Sequence, residues 1–444
     1  MSTVDTQLLT VVARAQRELR IPSLTAAVLA RGTVAAVAAV GSVDGRRGGE
    51  PVGPDTQYRI GSISKTFTAA LVMRLRDDGL LSVDDPLERH VPGTPIGAVT
   101  LGQLLSHTSG LRAETDAPWW ERTAGLPFAE LVPQLQQVVP AGSRLHYSNL
   151  GFAVLAEVVA RHRGVGWDES VRTELLEPLG LTRTTPRPSG THAQGVARHP
   201  HADLLLAEPE HHHGAMAAAG QLWSTVGDLA VWGEFLRSGH PGVLAPETLA
   251  EMRRPRGVHD LPGAAWLGAH GLGLELGNVD GRRRVGHGGS MPGFLAVLRV
   301  DVESGRGLAV MANTTSGLSP ALVAQLWEVV EQQPAERVEP WYAEGDAGLL
   351  DVTGTWYWGP APYRLDALPD GGLDLAPAGL GRAARFVPAG PDRWIGTSGY
   401  FDGEELVVVR DAGRPAHLDL ASFRFTRTPY DPSADVPGGV DGWR

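Results

Sequence analysis

The sequence predicts an α+β body followed by a small all-β barrel or sandwich. Helical periodicity dominates the stretch from Ser62 to about residue 255. Strand-like runs bracket that stretch on both sides. Beyond a linker, the texture changes to short β-rich runs cut by Gly and Pro turns.

An amphipathic helix over about 4–19 leads into a hairpin, "LTAAVLARGTVAAVAAVG", turned at Arg31–Gly32. In "FTAALVMRLRDDGLL", Phe67, Leu71, Val72, Leu75 and Leu80 recur at helical spacing, so a helix begins near Ser62. Strands resume at "AHGLGLELGNV", "RRRVGHGG" and "FLAVLRVDVESGRGLAVMANTT", with a hairpin tip at Arg282 to Arg284. "GLGLELG" imitates a dinucleotide loop but lacks the following helix and the later acidic residue, so it reads as strand. A closing helix, "SPALVAQLWEVVEQQ", should lie back on the sheet. The predicted division is a catalytic domain over 1–332, a linker over 333–347 and a β-rich domain over 348–444. Its strand runs are "GTWYWG", "YRLDALP", "LDLAPAG", "AARFVPAG", "RWIGTSGYFDGEELVVVRD" and "HLDLASFRFTRTP".

A net charge of -11 over 444 residues argues against a general nucleic-acid binder. No apolar run is long enough to span a membrane. The absence of cysteine excludes disulfides, thiolate catalysis and cysteine-ligated metals. Asp5, Arg14, Arg17 and Glu18 interrupt the N-terminal segment, so it does not read as a signal peptide, and a cytoplasmic location is expected.

The chemistry starts from an oddity of usage. Lys65 is the sole lysine among 39 basic side chains. Arginine serves a surface charge equally well, but it cannot shed a proton near neutral pH. A lysine amine can, once burial and neighbouring positive charge bring its pKa down to about 7 to 8. In "IGSISKTF", Ser62 and Lys65 stand at i, i+3, on one face of the predicted helix start. There the hydroxyl meets the positive end of the helix dipole. Taken alone, the pair also fits a surface lysine beside a Ser62 N-cap.

Two further segments carry candidate groups. "SRLHYSNLGF" puts the phenol of Tyr147 and the carboxamide of Asn149 on one short loop. The phenolate could relay a proton if a nearby ammonium lowers its pKa, and the amide could hold a substrate carbonyl. "RRVGHGGSMPGF" presents His287, Gly288 and Gly289 after a probable strand, where two glycines let a substrate approach closely. The Ser290 N–H could complete an oxyanion hole with the Ser62 N–H.

Together these elements, in this order and spacing, resemble the penicillin-recognising serine hydrolase family, built on S-x-x-K, Y-x-N and (K or H)-x-G. "LGQLLSHTSGL" (101–111) and "AAAGQLWSTVGDLAVWGEFL" (217–236) look like further family segments, with Ser224 or Thr225 as a helix cap near Asp228. The resemblance implies a β-lactamase/transpeptidase-like fold: an antiparallel sheet flanked by helices, beside a helical lobe. It implies acyl transfer, with Lys65 as base to Ser62, and with Tyr147 and His287 assisting leaving-group protonation. His287 stands where true β-lactamases carry lysine, which points to the esterase, D-peptidase and peptide-thioesterase branches. "TGTWYWG" and the strands after it look like the lipocalin-like domain appended to some members. The expected substrate is a peptidyl thioester, with a peptide-synthetase carrier protein as partner, cyclised from a C-terminal D-residue. A carboxylesterase or D-stereospecific aminopeptidase acting on an ester or amide is the alternative. No cofactor, metal, nucleic acid or membrane partner is expected. Trp119 and Trp120 are expected as an exposed substrate wall, and Arg424 or Arg427 as carboxylate contacts from the tail. His199, His201, His211, His212 and His213 read as a solvated loop near the cleft mouth, because adjacent histidines rarely point at one ion.

Overall fold

The computed structural model describes residues 3–116, 119–332 and 346–429. These form two compact units, one ending at residue 332 and one starting at 346. Most of the predicted linker, 333–345, lies outside the described residues.

The first unit is built on an eight-stranded sheet. Its order is Thr33–Gly41, Ser23–Ala30, Arg306–Ala312, Phe294–Asp301, Arg282–Met291, Glu275–Val279, Gly268–His270 and Gly257–Val258. Every neighbouring pair is antiparallel. Side chains of the strand Ser23–Ala30, next to the edge, alternate between two apolar clusters, as a period of two requires. Leu24, Ala26 and Val28 pack with Leu8 and Val12 of the N-terminal helix Thr3–Glu18 and with Leu322, Leu326 and Trp327 of the closing helix Pro320–Glu331. Ala27 and Leu29 face the other way, into a cluster with Trp232, Phe235 and Leu236 of the helix Val226–Ser238. A sheet covered on both faces explains why apolar residues point to both sides of this strand.

The helical lobe continues that second cluster through the helices Ser64–Asp77 and Asn149–Arg163. Thr225 caps the helix Val226–Ser238 by accepting from the Asp228 N–H, which settles the Ser224 or Thr225 alternative. No described helix is long and apolar enough to cross a membrane.

The second unit is a closed barrel of eight antiparallel strands, each paired with its sequence neighbours and the first with the last. Its interior is filled by side chains including Trp356, Leu365, Phe386, Leu406, Leu418 and Phe425. A filled interior makes this barrel a packed core rather than a ligand container.

Candidate active site

Ser62 sits in a short turn of 3-10 helix, Gly61–Ile63, that runs directly into the helix Ser64–Asp77. That helix is buried along most of its length. Two indole N–H groups pin it: Trp232 donates to Thr66 Oγ1 at 2.8 Å, and Trp167 donates to Thr68 Oγ1 at 2.9 Å. Trp232 also stacks on Phe67 at 3.6 Å. A lysine on such a helix has no route to solvent, and Lys65 is fully buried.

Lys65 Nζ lies 2.9 Å from Ser62 Oγ and donates to the Ala219 carbonyl at 2.8 Å. Burial is the main cause that pushes its amine down to about 7, against the pull of the Glu114 and Glu121 carboxylates. Near neutral pH a large share of the molecules therefore carry a free lone pair beside the hydroxyl, which is the state a base requires.

Lys65 Nζ stands 5.0 Å from the centre of the Tyr147 ring. Here the structure corrects the expected phenolate. Desolvation raises the Tyr147 phenol above its ordinary value, so it holds its proton at rest and can donate rather than relay.

The loop carrying Tyr147 is tied down on both sides. His146 N–H donates to the His107 carbonyl at 2.7 Å, and Asn149 N–H donates to the Ala113 carbonyl at 2.9 Å. Ser148 caps the helix Asn149–Arg163 by accepting from the Gly151 N–H. The Asn149 carboxamide donates to Glu114 Oε1 at 2.7 Å, and Trp120 Nε1 donates to the other oxygen, Oε2, at 2.8 Å. Glu114 thus orients Asn149. Sequence reasoning missed it, because a lone glutamate just past "HTSGL" carries no spacing signal.

The strand Arg282–Met291 lies against the nucleophile turn with glycine on both sides of the contact. A Cβ on Gly61, whose φ is +53°, would stand 2.5 Å from Ser290 N. A Cβ on Gly289 would stand 2.0 Å from the Ile60 carbonyl oxygen. The backbones of Ser62 and Ser290, proposed as oxyanion donors, meet only because neither glycine has a side chain. Gly289→Ala should therefore displace this strand and slow acylation by roughly 100-fold or more, the loss typical of an oxyanion donor. Gly288→Ala, whose Cβ meets only Glu275 Oε2 at 3.8 Å, should cost less. The rate of labelling by an acylating probe measures both.

His287 is buried on that strand and is 6.2 Å, ring to ring, from Tyr147. Burial pushes its imidazole down to about 4, so it is neutral at neutral pH. Its Nδ1–H donates to the Gly288 carbonyl, which leaves the Nε2 lone pair without a partner. His287 at rest can accept a proton but not supply one, which corrects its expected share in protonating the leaving group. Glu275 stands 4.0 Å from His287 Nδ1 and is held by Arg299 at 2.7 Å and by the Gly288 N–H at 3.0 Å.

The outer residues depart further from expectation. Trp119 is 58% exposed with the Arg122 guanidinium over its ring, but Trp120 is 8% exposed and committed to Glu114. The two-tryptophan wall is one exposed ring and one core ring. Arg424 is ion-paired with Asp419 at 3.0 Å. Arg427 lies over the Trp356 ring and donates to the carbonyls of Thr353, Thr355 and Asp351. Both guanidiniums are engaged by partners within the second unit itself. The histidine-rich loop is not uniformly solvated either: His213 is fully buried, and His212 pairs with Asp168 at 3.0 Å.

A hydroxyl, a neutral amine, a protonated phenol and two converging backbones at the junction of sheet and helical lobe define a serine acyl-enzyme site. The chain belongs to the beta-lactamase family, whose model matches residues 9–331. Residues 345–427 match DUF7586, a domain of unknown function. The chain is 30% identical over 293 residues to a human beta-lactamase-like 1 protein, covering 62% of this chain and 57% of that one. It is 29% identical over 197 residues to the D-alanyl-D-alanine-carboxypeptidase/endopeptidase AmpH of Escherichia coli K12, covering 40% of this chain and 48% of that one. This chain thus spans about half the length of these curated relatives. Among solved structures it is similar to SurE, at 26% identity and a TM-score of 0.61. That likeness covers 96% of this chain and 99% of SurE, which has also been solved with D-Leu.

Proposed function

We propose that this protein is a serine acyltransferase that takes a peptidyl thioester ending in a D-residue, forms an acyl-enzyme on Ser62, and releases the peptide by cyclisation onto its own N-terminal amine. The observation that carries this reading is the likeness to SurE, which runs through both units of the chain. The D-preference draws support from the D-Leu bound to SurE and from the D-alanyl-D-alanine chemistry in the name of AmpH. In the acylation step, Lys65 takes the Ser62 proton, Oγ attacks the carbonyl, and Ser62 N–H and Ser290 N–H hold the oxyanion. Tyr147 gives its proton to the leaving group. Glu114 and Glu121, whose fields reach Lys65, make this side of the cleft favourable to a substrate ammonium. The thiol leaving group is the arm of a peptide-synthetase carrier protein.

A D-stereospecific peptidase or esterase is the second reading, and one observation favours it. Of the two tryptophans expected as a wall against water, Trp120 is buried and only Trp119 is exposed. A tethered amine reaches an effective concentration up to ~10⁵ M only when the substrate is held folded.

The test is a linear peptide thioester of a small thiol with a free N-terminus, made with D- and L-residues at the acyl end. The D-epimer should give mostly cyclic product by mass spectrometry, and Trp119→Ala should shift the product toward linear acid. Linear acid alone from several D-ended peptides would select the peptidase reading. Equal turnover of L-epimers and simple short-chain esters would overturn both in favour of a carboxylesterase.

A further inference from the structure

Behind Tyr147 lie three buried imidazoles, His107, His270 and His287. One nitrogen of each lies within 4.8 Å of the others, the only such group of possible metal ligands among the described residues. His107 Nε2, His270 Nδ1 and His287 Nε2 are all buried without a hydrogen-bond partner. Three buried polar atoms without partners need an occupant.

The hydrogen bonds on the far side of each ring decide which occupant fits. A metal-bound imidazole donates its other N–H to an acceptor, leaving a lone pair for the ion. His287 meets this condition, because its Nδ1–H goes to the Gly288 carbonyl. His107 does not. Its Nδ1 accepts from the Ser148 N–H at 3.1 Å, so in the neutral ring the proton sits on Nε2. The pocket therefore presents one donor, His107 Nε2–H, beside the lone pair of His287. With His270 as the Nε2–H tautomer, its Nδ1 adds a second lone pair. A water that accepts once and donates twice satisfies that set. Three partners at about 2.8 Å around a water oxygen stand about 4.6 Å apart, within the observed spacing.

We propose that His107 is a positioning residue: it holds the Tyr147–Asn149 loop through the Ser148 N–H and its stacked ring, and its Nε2–H makes the three-histidine pocket a site for one water and not for a metal ion. The ring of His107 stacks on Tyr147 at 4.1 Å. His107 also has φ +56°, a conformation that asparagine tolerates and most side chains do not. The other charged or titratable groups around the pocket are Lys65, Tyr147, His259, Glu275 and Arg299. All three rings are held below the ordinary histidine value, first by burial and then by neighbouring positive charge, so a second proton is unwelcome. Without the donor, the His270 and His287 lone pairs would share a proton at higher pH.

The test uses His107→Asn in the full chain. Asparagine Oδ1 can replace Nδ1 as acceptor for Ser148 and suits the left-handed backbone, but it supplies no Nε2–H. In the wild type, nitrogen-15 long-range NMR spectra should show His107 as the Nε2–H tautomer, and equimolar Zn²⁺ should leave the His107, His270 and His287 signals unmoved. In His107→Asn, the melting temperature should stay close to wild type while a His270 or His287 ring begins to titrate above about pH 5. A merely structural role would lower the melting temperature without moving that titration. A His107 Nδ1–H tautomer would overturn the proposal, as would stoichiometric Zn²⁺ binding that His270→Ala abolishes, or an unchanged titration in a folded His107→Asn. If that variant does not fold, the wild-type tautomer and the Zn²⁺ titration decide. None of these readouts needs a substrate, so they stand or fall apart from the proposed reaction.

Discussion

Replacing Lys65 with methionine is expected to give a protein that melts later and turns over almost nothing. The two effects have one source. Burial brings the amine from its ordinary 10.5 to about 7. The unfolded chain keeps the ordinary value, so folding opposes protonation of this group. The cost is fully present below pH 7 and fades as pH rises toward 10.5. At about 1.4 kcal/mol per pKa unit, it reaches roughly 5 kcal/mol below pH 7 before the bond to Ala219 is counted. Methionine fills similar space, carries no charge and removes that cost. Calorimetry at pH 6 should show the larger gain and at pH 10 a smaller one. Activity should fall by ~100- to 10,000-fold, the usual loss of a positioned base. Lys65→Arg should be as inactive, since guanidinium keeps its proton, and it should not be stabilised. In the wild type, kcat/KM should rise with pH through about 7 as the amine deprotonates. An Arg variant within tenfold of wild type would reduce Lys65 to a source of charge.

The second large effect is expected at Ser62. Ser62→Ala should abolish both turnover and the covalent adduct left by a fluorophosphonate, read as a mass shift on the intact protein. The loss should be complete because no other described hydroxyl stands between a neutral amine and a glycine-lined backbone contact. Ser64 and Thr66, the nearest hydroxyls in sequence, are spent on structure: Ser64 accepts from the Leu222 N–H, and Thr66 receives the Trp232 indole. An adduct that persists in Ser62→Ala would relocate the nucleophile.

The groups that react were legible in the sequence, and the groups that hold them were not. Ser62 and Lys65 show themselves by i, i+3 spacing and by the lysine's isolation, and Tyr147, Asn149 and His287 by their short segments. Each signal is local. Glu114, His107 and His270 become visible only when the chain folds, because each acts across distant segments on a residue already named. Trp120 shows the same limit from the other side. Its neighbour is exposed and the pair reads alike, but one indole N–H finds Glu114 and goes inside. For the fold, the hairpin turned at Arg31–Gly32 and the β-rich runs of the tail were readable. Closure of the tail into a barrel was not, since it rests on pairing the first strand with the last, Tyr357 beside Thr426. The phenol's raised pKa also escaped prediction, because desolvation depends on packing rather than on which residues neighbour Tyr147 in sequence.

The enclosure of the one lysine has a consequence for anyone who handles this protein. Its surface is cationic through guanidinium alone and offers no ε-amine. Activated esters, isothiocyanates and aldehydes therefore find no side-chain amine on the folded protein. The Lys65 amine becomes available only when the fold opens, so its uptake of reagent counts unfolded molecules directly.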